Sequence, residues 1–208
     1  MLVIDGDNQP NNFIAFVITG DGRWEQVILK SIAKRYNGKD KIIYFPKSPF
    51  KKSKKIGLSC LDFLKLEKEK LNIFNKCKNL VVLIDKEHVQ NNEDVINRLN
   101  YLNVFDKIEI NKNSENLIIV EGKLKNKNNI LKIYVVIFGK YKCIEENVAE
   151  LIKLEFGKDI NPNKNSIKDF LKSHNLKRKH LIEISKLENL EASFNNLIHV
   201  IKELESGD

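Results

Sequence analysis

Asp85 and Glu87 stand two residues apart behind the apolar run Leu-Val-Val-Leu-Ile at residues 80–84, with Lys86 between them. Strand side chains alternate with period two, so both carboxylates are expected to leave one face at the strand end. Asp21 and Glu25 hold a similar place behind a second β-like run, residues 13–18. If the two runs are neighbours, these acids converge on one edge. Two hard oxygen ligands completed by water and substrate phosphate are how magnesium is commonly held in phosphoryl chemistry. Asp85 and Glu87 are therefore candidate catalytic and metal-binding residues, Asp21 and Glu25 candidate further ligands, and Mg2+ the expected cofactor. The competing reading is that acids behind buried strands and in first helical turns only cap and solvate the chain.

Two basic segments complement the acids. Lys47, Lys51, Lys52, Lys54 and Lys55 surround Phe50 between Pro46 and Gly57, and Lys177, Arg178 and Lys179 form a second cluster. Point charges with an aromatic for stacking suit a nucleic-acid backbone or single strand, although charge runs in loops are often merely solvated. The formal net charge of +8 points the same way, toward an anionic partner, although a lysine-rich, charged surface also arises from habitat or genome composition. No triad of nucleophile and base, phosphate-cradling glycine loop or dinucleotide fingerprint is visible. Gly20-Asp21-Gly22 lacks the third glycine of such a fingerprint.

Cys60, Cys77 and Cys143 are scattered within apolar patterns, which fits reduced thiols, and the histidines form no ligand cluster with them. Apolar runs stop far short of the roughly 20 residues that span a bilayer. The opening residues lack the basic start and apolar stretch of a signal peptide, so a cytoplasmic location is expected.

These residues need a scaffold. Residues 2–4 and 13–18 read as strands joined by the turn formers of 5–12, hence as a hairpin. After Gly20, Trp24, Val27, Ile28, Ile32 and Tyr36 recur at helical spacing, and 41–45 is a new strand, giving a βαβ unit. An amphipathic helix is expected over 58–77. The run 80–84 is apolar throughout, as in a parallel strand buried on both faces. Asn91 or Asn92 caps a helix with Glu93 and Asp94 in its first turn. Strands follow at 107–110, 116–124 and 130–138, the last two as an antiparallel hairpin. A helix carries Ile144, Val148, Leu151, Ile152 and Phe156, and further helices are expected near 167–174, 179–186 and 190–204. The fold class is α/β: a mostly parallel, Rossmann-like sheet flanked by helices, with an antiparallel hairpin added. Residues 1–157 form that domain and 158–208 a helical C-terminal cap packed on it, whose apolar faces are the expected place for any protein partner.

The order of strand, glycine turn, helix and strand, then Leu80-Val81-Val82-Leu83-Ile84-Asp85-Lys86-Glu87 and a helix, resembles the Toprim fold of topoisomerases, bacterial primases and old-type nucleases. The segment Val135–Glu146 is similar to a part of small Toprim-related proteins in which a strand leads to a helix opening with an acidic residue. The resemblance spans about residues 13–156. It implies Mg2+ held by a glutamate after the first strand and an Asp-x-Asp pair after a later one, for phosphodiester chemistry on nucleic acid. Asp85 matches the first aspartate and Glu87 stands for the second, while Thr19 occupies the glutamate position. A non-catalytic nucleic-acid-binding module with a degenerate metal site is the alternative that Thr19 supports.

Two other acidic motifs resemble nucleases. Glu121-Gly122-Lys123 with Asp106 upstream is similar to restriction-endonuclease-like sites, in which a carboxylate binds metal and a lysine positions water. Ile4-Asp5-Gly6-Asp7-Asn8 resembles the opening strand of NYN and PIN ribonucleases, but too few residues follow for the helix those folds need.

Overall fold

A computed structural model describes residues 1–6, 8–20, 22–36, 40–46, 56–70, 73–125 and 127–207. The α/β expectation agrees with it. Strands β1 (Leu2–Gly6), β2 (Ala15–Thr19), β3 (Ile42–Pro46), β4 (Asn79–Asp85), β5 (Phe105–Ser114), β6 (Leu117–Leu124) and β7 (Ile130–Phe138) form one sheet in the order β1-β3-β2-β4-β7-β6-β5. The pairs β1 with β3, β2 with β3, β2 with β4 and β4 with β7 are parallel. Strands β5, β6 and β7 then form an antiparallel meander.

The central strand explains its own sequence. Val81 and Leu83 of β4 face one helical layer, while Leu80, Val82 and Ile84 face the other. Neither face meets water, so the run is apolar at every position rather than at alternate ones. One layer holds α1 (Arg23–Ala33), α5 (Ile144–Phe156) and α6 to α9 (Lys164–Ser173, Arg178–Ile184, Leu187–Ser193 and Asn195–Ser206). The other holds a 3₁₀ turn at Gly57–Asp62, then α2 (Phe63–Lys70), α3 (Ile73–Lys76) and α4 (Asn92–Tyr101). Asn91 caps α4, accepting from the Asp94 N–H while the Asp94 carboxylate accepts from the Asn91 N–H, as the acidic first turn foretells. The C-terminal helices bury Ile167, Leu181, Ile182, Leu190, Ile198 and Ile201 in the same apolar cluster as Ile28 and Ile32 of α1. The buried sides of these helices are thus occupied by this chain, while Ile184 and Leu187 are exposed.

The N-terminal hairpin is corrected. β1 and β2 run in the same direction with β3 between them. Val3 and Ala15 flank the same residue, Ile43, while Gly6 pairs with Pro46. The return from β1 to β2 therefore drops only the height of three residues, about 10 Å, and shifts about 10 Å sideways, which a short extended segment covers without a helix. Over the helix expected at 58–77 the structure has the 3₁₀ turn, α2 and α3, with 71–72 outside the described residues, and the helix expected over 190–204 is interrupted at Phe194 between α8 and α9. The strand expected at 107–110 is longer and belongs to the antiparallel edge, with register shifts between Phe105 and Lys107 and between Ile110 and Lys112. Its charged side chains are those of an exposed edge strand.

Candidate functional site

Strand order reverses between β2 and β4: from β2 the chain crosses by α1 to β3 on one side, whereas β4 has β7 on the other. A crevice opens at the carboxyl ends of the strands at such a point, and ligands of open α/β sheets bind there. Here it is a cleft of about 310 Å³. Glu25 enters it from the first turn of α1, Asp85 from the end of β4, Glu87 from the turn that follows, and Glu145 from the first turn of α5. Trp24, Ile56, His88 and Lys164 complete the walls.

The two central strands meet tightly at its floor. The Gly20 N–H donates to the Leu83 carbonyl at 2.9 Å, and the Gly57 N–H to the Gly20 carbonyl at 3.1 Å. A Cβ on Gly20 would lie 2.9 Å from Ile84 Cγ1 and 3.0 Å from the Gly57 backbone, so only glycine allows this approach.

Asp85 is buried and its Oδ1 accepts the Ile144 N–H at 2.9 Å. It thereby caps the start of α5, whose own N-cap residue, Cys143, makes no side-chain cap. The partial positive charge of that helix end offsets part of the carboxylate's charge. Glu87 is not delivered by strand alternation, because β4 ends at Asp85 and a 3₁₀ turn, Lys86–His88, carries the chain away. Its N–H donates to the Lys142 carbonyl at 2.7 Å, and its exposed carboxylate lies at the cleft mouth, 4.0 Å from His88 Nε2. Glu25 is 2 % exposed.

Sequence reasoning missed the α5 acid as a site residue. Glu145 and Glu146 are consecutive but differently engaged. Glu146 Oε2 accepts from the Lys140 and Tyr141 N–H groups at 2.7 and 2.9 Å and so fastens the turn after β7. Glu145 is 3 % exposed, and its Oε1 is buried without a hydrogen-bond partner among the described residues. Lys164 Nζ is 3.9 Å away. Trp24 Nε1 on the same cleft is likewise buried without a partner. The signal for Glu145 was its place in the first turn of a helix leaving the carboxyl end of a strand. Nothing in the sequence says that β7 lies beside β4.

The accumulated negative charge is felt by a neighbour. The Cys143 thiol is pushed up to about 12, chiefly by burial and then by its hydrogen bond to Glu145 and the charges of Glu145 and Asp85. It remains a protonated thiol.

Compared with family models, with curated proteins and with solved structures, the chain matches none.

Other expected site residues fall elsewhere. Asp21 and Lys47, Lys51, Lys52, Lys54 and Lys55 lie outside the described residues. The flanks of the basic segment are described: Pro46 ends β3 at the carboxyl edge, and Ile56 is on the cleft wall. Lys177, Arg178 and Lys179 open α7 as expected. Arg178 lies over the Trp24 ring, 3.9 Å from its centroid, behind the cleft wall. Lys177 and Lys179 are exposed, and Lys179 pairs with Glu183 at 3.3 Å. Among the described residues, no three His, Cys, Asp or Glu side chains form a group able to hold a metal, so the expected convergence of four carboxylates on one ion is not seen in them.

The competing motifs are part of the strands. Glu121 of β6 lies opposite Glu109 and Lys132 and accepts from Asn111 Nδ2 at 2.8 Å, while Asp106 and Lys123 are exposed. None of the three lines the acidic cleft. Asp5 of β1 is bound by Lys30 and by Gln26 Nε2 at 2.9 Å, and the hydrogen bond from Lys30 holds its carboxyl below the usual carboxylate range. No helix among the described residues is long and apolar enough to cross a membrane.

Proposed function

We propose that this chain is a Toprim-like, magnesium-dependent protein acting on nucleic-acid phosphodiesters at the cleft between β2 and β4. The observation that carries the reading is the grouping of Glu25, Asp85, Glu87 and Glu145 around one cleft at the point where strand order reverses. The donors fit magnesium in kind: they are hard carboxylate oxygens, one of them buried and without a partner among the described residues, and Cys143 beside them keeps its proton. Asp85 and Glu87 would hold the ion with Glu25 or Asp21 beside them, and the ion would supply charge neutralisation at phosphate oxygens. Asp85 is fixed for this by its bond to Ile144, and Glu87 by the turn tied to Lys142. Pro46 and Ile56, which flank the basic segment, stand at the same edge, and the lysines between them would hold a phosphate backbone.

The test is cleavage or nicking of plasmid, single-stranded DNA and RNA with magnesium or manganese, in wild type and Asp85→Asn. The asparagine keeps an oxygen for Ile144 while removing the charge. Metal-dependent cleavage lost in the variant is expected. Wild type that cuts none of these substrates with either metal would overturn the enzymatic reading.

A second reading, a binding module without metal chemistry, is favoured by two observations: Thr19, at the end of β2, offers no carboxylate, and Asp85 has a structural task at α5. It predicts nucleic-acid binding that falls steeply with salt and is indifferent to chelators and to Asp85→Asn.

A further inference from the structure

We infer that Glu145 is a divalent-cation ligand of this cleft and that Lys164 is its tethered counter-ion, displaced when the metal enters. The inference rests on the functional reading above to the extent that both place a cation in the same cleft, but it names a different residue and needs no cleavage.

Three observations carry it. A carboxylate oxygen buried without a hydrogen bond is costly, and such groups in a native fold are explained by a missing water or ion. Glu145 Oε1 is that atom among the described residues, and it lies on a wall shared with Asp85, Glu25 and Glu87, whose charges favour a cation over an anion there. The one cation close to Oε1 among the described ion pairs is the Lys164 ammonium at 3.9 Å, beyond hydrogen-bond reach. The two ends of that pair are unequal: the Glu145 side chain is 4 % exposed and the Lys164 side chain 76 %. A long flexible side chain reaching in from solvent neutralises the buried charge without filling its coordination, and it leaves by rotating outward. Asp85 is close in structure, because its Oδ1 holds the N–H of Ile144, the residue before Glu145. One or two carboxylates with water at the remaining positions satisfy magnesium, so a third protein ligand is not required.

Trp24 is the only tryptophan and lines this cleft, so it reports occupancy directly. Trp24 emission is followed while MgCl2 or paramagnetic MnCl2 is added to wild type, Glu145→Gln and Lys164→Ala, with thermal melting confirming that each is folded. Wild type should show a saturable change, Lys164→Ala should saturate at several-fold lower metal, and Glu145→Gln should need about tenfold more metal or fail to saturate. No saturable change in wild type and Lys164→Ala, or an unchanged midpoint in Glu145→Gln, overturns the ligand assignment. An unchanged midpoint in Lys164→Ala overturns the counter-ion role. A chain that binds metal through Glu145 yet cleaves no nucleic acid leaves this inference standing and removes the phosphodiester reading. Metal-dependent cleavage indifferent to Glu145→Gln does the reverse.

Discussion

The two ends of the parallel strands each carry a polar cleft, and they are built on opposite principles. At the amino ends, a cleft of about 560 Å³ is lined by Lys76, Lys78, Lys132, Tyr134, Glu121 and Glu203 among others. Its acids are both partnered: Glu203 Oε1 accepts from Lys132 Nζ at 2.5 Å and from the Tyr134 hydroxyl at 3.1 Å, and Glu121 accepts from Asn111 Nδ2. At the carboxyl ends the cleft is smaller, and among the described residues its acids outnumber its bases and a carboxylate oxygen and an indole N–H have no hydrogen-bond partner. Unbalanced charge in a confined space is not favoured by folding alone, and it is what makes the carboxyl-end cleft the candidate.

The largest expected effect is at Asp85. Replacement by Ala orphans the buried Ile144 N–H and should cost about 1–3 kcal/mol, whereas Asp85→Asn should recover most of it. Urea unfolding of the pair measures this. Equal losses in both variants would mean that charge rather than the cap bond holds Asp85 in place.

At the matched end, Glu203→Gln should destabilise by about 1–2 kcal/mol, since it leaves Lys132 without its charged partner. Burial opposes ionisation of Glu203, but hydrogen bonds from Lys132 and Tyr134 and the charges of Lys132 and His199 outweigh it and keep the carboxyl below its ordinary value. Since the folded state has the lower pKa, the contribution is complete above the ordinary glutamate value of 4.5 and is lost as pH falls through the lowered one. The difference in melting temperature between wild type and Glu203→Gln should therefore narrow in acid. A constant difference across that range would sink the assignment.

At the unmatched end the sign should reverse. Glu145→Gln removes a like charge from beside Asp85 and should stabilise the metal-free protein by about 0.5–1 kcal/mol. A clear loss of stability would show that the Lys164 pair outweighs the repulsion.

The smallest effect is a rate. Glu145→Gln should lower the raised Cys143 pKa and speed alkylation of that thiol at pH 8 by about threefold to tenfold, with Cys60 and Cys77 protected by burial in both proteins. Mass spectrometry of iodoacetamide-treated protein gives the three rates. An unchanged rate at Cys143 would place the shift in burial alone.

Much of the scaffold was legible because local patterns and tertiary burial agree. The uninterrupted apolar run at β4 implies helices on both faces, and the Asn91 box and the β6–β7 hairpin are set by neighbours in sequence. The N-terminal hairpin was misread because a short connection ordinarily joins antiparallel strands. Here the low height of the strands lets one residue, Ile43, pair with both Val3 and Ala15 and admits a parallel return. The break at Phe194 lies within otherwise helical apolar spacing, which carries no mark of where a helix must turn to follow its layer.

By itself, the sequence determined that acids follow β2 and β4 and open α1, since those positions depend on chain order and on where apolar runs stop. Only the tertiary structure decided that β2, β4 and β7 lie side by side with β2 next to β4 where strand order reverses, that Asp85 is turned to α5, and that Glu145 rather than Glu146 reaches the cleft. Strand order and helix rotation arise from packing between segments far apart in the chain, and two adjacent glutamates differ only in which side of α5 meets the sheet.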